Sequence, residues 1–331
     1  MWRQFAIAGS LTQHKQPHLL TANDAMPKTA LITHQDCTLH EISPGHPERP
    51  QRIGAVLDQL VEHGLVEKLH RFEASEASRE HLLAAHSESY VDHLFDVAPN
   101  RGSVQLDADT AMNEHSLRAA LLGAGAGLQA VDLVIDDDFD SVFCCVRPPG
   151  HHAERSEAMG FCFFGSIAIA ALYALQKPGI KRTAIIDFDV HHGNGTEDLV
   201  GDRSDIFFCS TFQYPLYPGK YGQNVPGRKI NIPMAAGSDG AELQRVLEVE
   251  CFPALRAFAP DILFISAGFD AHRDDPLAGL EFVEEDFAWV TRELVKIARQ
   301  TASGRVISML EGGYDLPALG KSAAAHVKEL M

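Results

Sequence analysis

Residues 185–195 read IIDFDVHHGNG, an apolar entry followed by two aspartates and two histidines within six positions, closed by glycines. An aliphatic run that ends in carboxylates and imidazoles reads as a buried strand that leaves the core with its polar end facing a surface. Carboxylate oxygen and imidazole nitrogen are ligands of zinc and other divalent transition metals. In an extended strand, side chains at i and i+2 share a face with Cα atoms about 7 Å apart, whereas i and i+4 stand about 13 Å apart. Asp187, Asp189 and His191 share that face but span too far for all three to reach one ion. Two neighbours can bind it and the third is left to orient something else. Asp189 and His191 lie further past the strand, where the chain turns at Gly193, and Asp187 would then accept a hydrogen bond from a histidine. Two acids ending a strand can also simply cap the next helix.

Further strands of the same kind are TALITH (29–34), SVFCCV (141–146), DIFFCS (205–210), DILFISAG (261–268) and RVISML (305–310). They alternate with segments of helical periodicity at 47–64, 116–134, 165–176, 240–259 and 284–302, the signature of parallel βαβ units with helices on both faces of the sheet. After strand 141–146 comes RPPGHHAE, after 261–268 comes FDAHRDDP, and after 305–310 comes EGGYD. In a parallel sheet these carboxyl ends lie along one edge, so the clusters converge. A catalytic metal needs a third protein ligand, and Asp270, the first acid after ISAGF, is the best candidate because it closes another strand at that edge.

The 331 residues are 45% hydrophobic, enough for a sizeable core, and no linker divides them, so one large α/β domain over 28–331 is expected. Residues 1–27 are polar and compositionally distinct, an N-terminal extension with no apolar run long enough for a signal peptide or membrane span. The net charge of −17 excludes an extended basic footprint for nucleic acid and leaves cationic peptides or amines unrepelled. None of the six cysteines stands in a CxxC spacing and most lie in apolar runs, as reduced thiols of a cytoplasmic protein do.

Taken in order, HPERPQR (46–52), RPPGHHA (147–153), GFCFF (160–164), DFDVHHGNG (187–195), SAGFDAHRDDPL (266–277) and LEGGYD (310–315) resemble the zinc-dependent histone deacetylase family. That family includes bacterial deacetylase-like amidohydrolases and acetylpolyamine amidohydrolases. The resemblance runs from about residue 28 to the last residue. It implies the arginase/deacetylase fold, a mostly parallel eight-stranded sheet between helix layers, and one zinc held by Asp189, His191 and Asp270. Its histidine pair falls on His151 and His152, the partners of that pair on Asp187 and Asn194, and its oxyanion tyrosine on Tyr314. A potassium ion is implied near Asp187, Phe188, Asp189, His191, Ser210 and Thr211.

The resemblance also implies a channel for an acyl-lysine protein or peptide, or for an acetylated amine. Phe161 would form one wall and Tyr217, where the family usually has Phe, the other. The Gly160 carbonyl would accept the scissile amide N–H. Asp109 could grip the substrate backbone at the rim, and Leu277 stands where a polyamine-preferring relative carries glutamate. His152 would be the general base, kept neutral near pH 7 because its partner is Asn194 and not an aspartate; His151, beside Asp187, would be protonated.

Two rival functions make different demands. A dimanganese ureohydrolase on the same fold needs a further acid just after the motif histidine, where this chain has Gly193 and Asn194. A regulator that only binds acyl ligands has no need of His151, His152 and Tyr314, all of which are present. Two carboxylates and one histidine also suit Fe(II), and the sequence leaves the subunit number open, a homo-oligomer included.

Overall fold

Eight strands make one sheet in a computed structural model that describes residues 28–137 and 139–331. The expected extension, residues 1–27, lies outside the described residues. The strands are β1 (Thr29–Thr33), β2 (His70–Glu73), β5 (Ser141–Cys144), β6 (Thr183–Asp187), β7 (Ile206–Gln213), β8 (Lys229–Met234), β9 (Ile262–Ala267) and β10 (Val306–Leu310). Between them β3 (Ser103–Gln105) and β4 (Ala111–Asn113) form a small antiparallel pair. The main sheet runs β2-β1-β5-β10-β9-β6-β7-β8, and every neighbouring pair in it is parallel.

Six of the eight strands fall on the expected apolar runs. The two that escaped, β2 and β8, are the sheet edges: β2 reads HRFE with no fully buried residue, and β8 carries Lys229 and Pro233. An edge strand needs no apolar side chain on both faces, and charge or proline there blocks further pairing. The central strands β5, β6, β9 and β10 are buried at every residue, which requires cover on both faces.

The helices are α1 (Gln51–Glu62), α2 (Arg79–Leu83), α3 (Glu88–Val97), α4 (Ser116–Asp136), α5 (Ser166–Ala174), α6 (Asn194–Val200), α7 (Gly240–Val246), α8 (Phe252–Phe258), α9 (Glu284–Thr301) and α10 (Leu316–Leu330). Helices α4 and α5 pack together in one group, and α1, α9 and α10 in another. Long and apolar enough to cross a membrane, α4 is instead largely buried in the fold. The single helix expected over 240–259 is interrupted by a π-helical turn at Leu247–Cys251, ahead of Pro253 in the first turn of α8. Pro253 has no N–H to donate, so the helical ladder breaks there.

Candidate active site

The carboxyl ends of β5, β6, β9 and β10 bring the polar clusters together. Asp189 and His191 leave the end of β6, Asp270 follows β9, and one donor atom from each lies within 4.8 Å of the others. Nδ1 of His191 is 3.1 Å from Asp189 Oδ1 and 3.2 Å from Asp270 Oδ2. Donors set tetrahedrally about 2.0–2.1 Å from one zinc would stand about 3.3 Å apart, so this set fits a divalent ion. The second carboxylate oxygens are used to aim the first: Asp189 Oδ2 accepts the Gly312 N–H at 2.8 Å and Asp270 Oδ1 the Val190 N–H at 2.9 Å. Burial, then the neighbouring Asp189 charge, push the Asp270 carboxyl up to about 7, a repulsion that a bound cation relieves. A Cβ on Gly268 or Gly312 would land on these carboxylates, so glycine is required by close approach. Among the described residues no other trio of histidines, cysteines and acids has this spacing.

Beside this trio lie both histidines of the HH doublet, with ring centroids 4.0 Å apart. His151 Nδ1 is 3.0 Å from Asp187 Oδ2, and its Nε2 is 3.7 Å from Asp189 Oδ2. Burial opposes a charge on His151, but Asp189 and Asp187 outweigh it and hold its pKa well above the usual value. His152 Nδ1 is 2.7 Å from Asn194 Oδ1; burial, then the charge on His151, hold it well below the usual value. The two neighbouring rings are therefore pushed in opposite directions, one toward its charged form and one toward its neutral form, which is how a site separates electrostatic and base functions. Tyr314, buried on the loop after β10, has its N–H on Asp275 Oδ2 at 2.7 Å and the Arg52 guanidinium 5.0 Å from its ring.

Residues 46–330 match the histone deacetylase domain. Histone deacetylase 14, chloroplastic, of Arabidopsis thaliana is 34% identical to the chain, across 100% of this chain and 85% of that protein. An uncharacterized protein of Synechocystis is 40% identical, across 91% of this chain and 99% of its own length. The crystal structure of the HDA15 HD domain superposes with a TM-score of 0.86 at 33% identity, covering 92% of this chain and 88% of that one. The chain belongs to the histone deacetylase family. Its activity is that of a histone deacetylase-like hydrolase.

Around the Asp189–His191–Asp270 trio of this family member, Tyr217 lies edge-on to His152 with centroids 5.1 Å apart, and 6.2 Å from His191. Phe161, at φ 68°, lies edge-on to Tyr314 at 5.9 Å. The Tyr217 hydroxyl is buried without a hydrogen-bond partner, a cost that phenylalanine would not carry. Gly160 O is 3.3 Å from the Cys162 thiol. Asp109 Oδ1 accepts from the Thr110 hydroxyl at 2.9 Å, and that hydroxyl accepts the Phe161 N–H at 3.0 Å. The half-buried Leu277 donates its N–H to Asp275 Oδ1 at 3.0 Å, on the same carboxylate that holds Tyr314. Ser210, expected from the resemblance near a potassium ion, stands opposite Asp187 in the β6–β7 register, and its hydroxyl lies 3.2 Å from His192 Nδ1. The Thr211 hydroxyl is buried and unpartnered. His192, given no ligand role, bonds Glu197 Oε2 at 2.8 Å through Nε2.

Sequence reasoning missed a layer of buried charges behind the site. Glu48 takes Arg147 Nε at 2.7 Å and Arg52 Nη1 at 3.1 Å, all three side chains being fully buried. Arg52 donates onward to the carbonyls of Gly313, at 2.7 Å, and Glu311, so the HPERPQR motif holds the tyrosine loop. The Glu311 carboxylate accepts the N–H groups of Gly150 at 2.7 Å and His151 at 3.1 Å, tying that loop to the histidine pair. The i,i+4 spacing of Glu48 and Arg52 was the one local signal; Arg147 lies 99 residues from Glu48, and the carbonyls that Arg52 reaches lie 259 and 261 residues away.

Proposed function

We propose that the protein is a zinc-dependent amidohydrolase that removes acetyl or other acyl groups from lysine side chains. The observation that carries this reading is the buried trio Asp189, His191 and Asp270 set beside two histidines, one on the Asp187 carboxylate and one on the Asn194 amide. A zinc ion bound there would polarise the acyl carbonyl and acidify a water molecule. His152 Nε2 takes one proton of the attacking water as its oxygen joins the acyl carbon, then returns it to the amine as the C–N bond breaks; the second water proton passes from the new carboxyl group to the amine, giving a carboxylate and the lysine ammonium. His151, held charged against Asp187, stabilises negative charge at the reacting centre, and the Tyr314 hydroxyl donates to the carbonyl oxygen. The Gly160 carbonyl accepts the scissile N–H, and Phe161 and Tyr217 line the sleeve for the four methylenes of lysine. Asp109 holds the substrate backbone. Leu277, apolar at the rim, disfavours a second ammonium and so favours lysine over polyamine.

A potassium ion held near Asp187, Phe188, Asp189, His191, Ser210 and Thr211, several of them through backbone carbonyls, would brace the strand end; the orphaned Thr211 hydroxyl supports this. The test of the substrate class is a side-by-side rate comparison of acetyl-lysine peptides, longer acyl-lysines and acetylated polyamines on zinc-loaded protein. The reading expects kcat/KM to be highest for an acyl-lysine peptide. Higher values for an acetylpolyamine would assign the site to small amines.

A further inference from the structure

The partner of the His152 ring is an amide, and an amide, unlike a carboxylate, has two chemically opposite ends. Oδ1 of Asn194 faces His152 Nδ1 at 2.7 Å. Its Nδ2 lies 2.7 Å from Glu154 Oε1, with the Met159 sulfur at 3.4 Å and the His152 carbonyl at 3.5 Å as long secondary acceptors. Turning the amide over would set its carbonyl against the Glu154 carboxylate, two acceptors facing each other. The carboxylate thus admits one orientation. With Oδ1 fixed toward the ring, Nδ1 has to carry the hydrogen and Nε2 is left as the basic lone pair.

We propose that Glu154 is a positioning residue for amide hydrolysis: it selects the orientation of the Asn194 amide and, through it, the His152 tautomer that can accept a proton. The proposal rests on the reading of His152 as base. Glu154 supplies from one hydrogen bond further out the negative charge that position 194 lacks. Its side chain is 20% exposed and pairs with Lys220 Nζ at 3.0 Å, which is 62% exposed. Lys220 lies on the β7–β8 loop that also carries Tyr217, so a purely structural role would have Glu154 anchor that loop through the lysine.

The two roles separate in four proteins loaded with zinc: wild type, Glu154→Ala, Lys220→Met and the double variant Glu154→Ala/Asn194→Asp. Each is assayed on an acetyl-lysine peptide and examined by 15N-histidine NMR, with the His152 signals assigned from their loss in His152→Ala. Glu154→Ala is expected to lower kcat about ten- to a hundredfold, the loss that accompanies one hydrogen bond to a charged group, with KM and zinc content unchanged. Its His152 Nε2 signal moves from the unprotonated toward the protonated position. Asn194→Asp in that background restores both at alkaline pH, where the ring made more basic by the new carboxylate is again neutral, because a carboxylate accepts from either oxygen, and Lys220→Met stays within about twofold of wild type. An unchanged His152 tautomer in Glu154→Ala overturns the proposal, as does a Lys220→Met loss as large as that of Glu154→Ala, or a double variant without rescue. If wild type hydrolyses no acyl amine the amidohydrolase reading fails by itself, and the tautomer spectra still decide the role of Glu154.

Discussion

Arg52 makes a sharp test of the buried layer because it joins α1 to the loop that carries Tyr314. Replacing it with Met keeps most of the volume and removes the guanidinium. The carbonyls of Glu311 and Gly313 then lose their donors in a fully buried setting, at about 1–3 kcal/mol each, which sums to roughly 2–6 kcal/mol. Glu48 loses one cation but keeps Arg147, so its charge is not stranded. The expected loss is therefore about 2–6 kcal/mol of unfolding free energy, set by the two carbonyls left without donors. Equilibrium denaturation in guanidinium chloride reads that number, and steady-state kinetics should show kcat falling about tenfold or more as Tyr314 loses its alignment, with KM little changed. An Arg52→Met protein within about 1 kcal/mol of wild type, with normal kcat, would refute the claim that this arginine holds the tyrosine loop.

Other expectations are independent of that one. Tyr314→Phe should lower kcat on the order of 10²–10³-fold with zinc content unchanged, as loss of an oxyanion donor does; near-normal turnover removes the tyrosine from the mechanism. Gly312→Ala pushes a methyl group onto the Asp189 and Asp270 carboxylates, so metal analysis after dialysis should find well under one zinc per chain in a protein with wild-type circular dichroism. Burial holds His326 neutral, its pKa down to about 3 between Thr291 and Ser308. Because the unfolded imidazole titrates near 6.5, the unfolded state binds the extra proton and stability is lost as pH falls from about 6.5 toward 3. His326→Asn should therefore flatten the slope of unfolding free energy between pH 6 and 4 by about 1.4 kcal/mol per pH unit, and an unaltered slope would show that His326 charges in the folded state.

The parts of the fold legible in sequence were those in which one physical requirement writes one pattern. Strands buried on both faces, such as DILFISAG, must be continuously apolar, and the sheet order follows once they are parallel. Edge strands β2 and β8 carry no such requirement and left no trace. In the site, the clustering of Asp189, His191 and Asp270 could be expected because residue types able to coordinate a metal stand at the ends of parallel strands. Glu48, Arg147, Glu311 and Asp275 were each inside a quoted motif, yet what they do depends on groups brought close only by the assembled sheet: Glu311 meets Gly150 across 161 residues of chain. Tyr217 and Leu277 gained their positions from resemblance, since an aromatic in a Pro-rich loop or a leucine after DDP carries no pattern of its own.

The central claim is that one zinc ion, held by Asp189, His191 and Asp270, makes this chain a lysine deacylase. The most direct measurement strips the protein of metal, titrates zinc back, and follows acetate release from an acetyl-lysine peptide. The stripped protein should release none, and activity should rise linearly and stop at one zinc per chain. Acetate release without metal, or none at one zinc per chain, would contradict that claim.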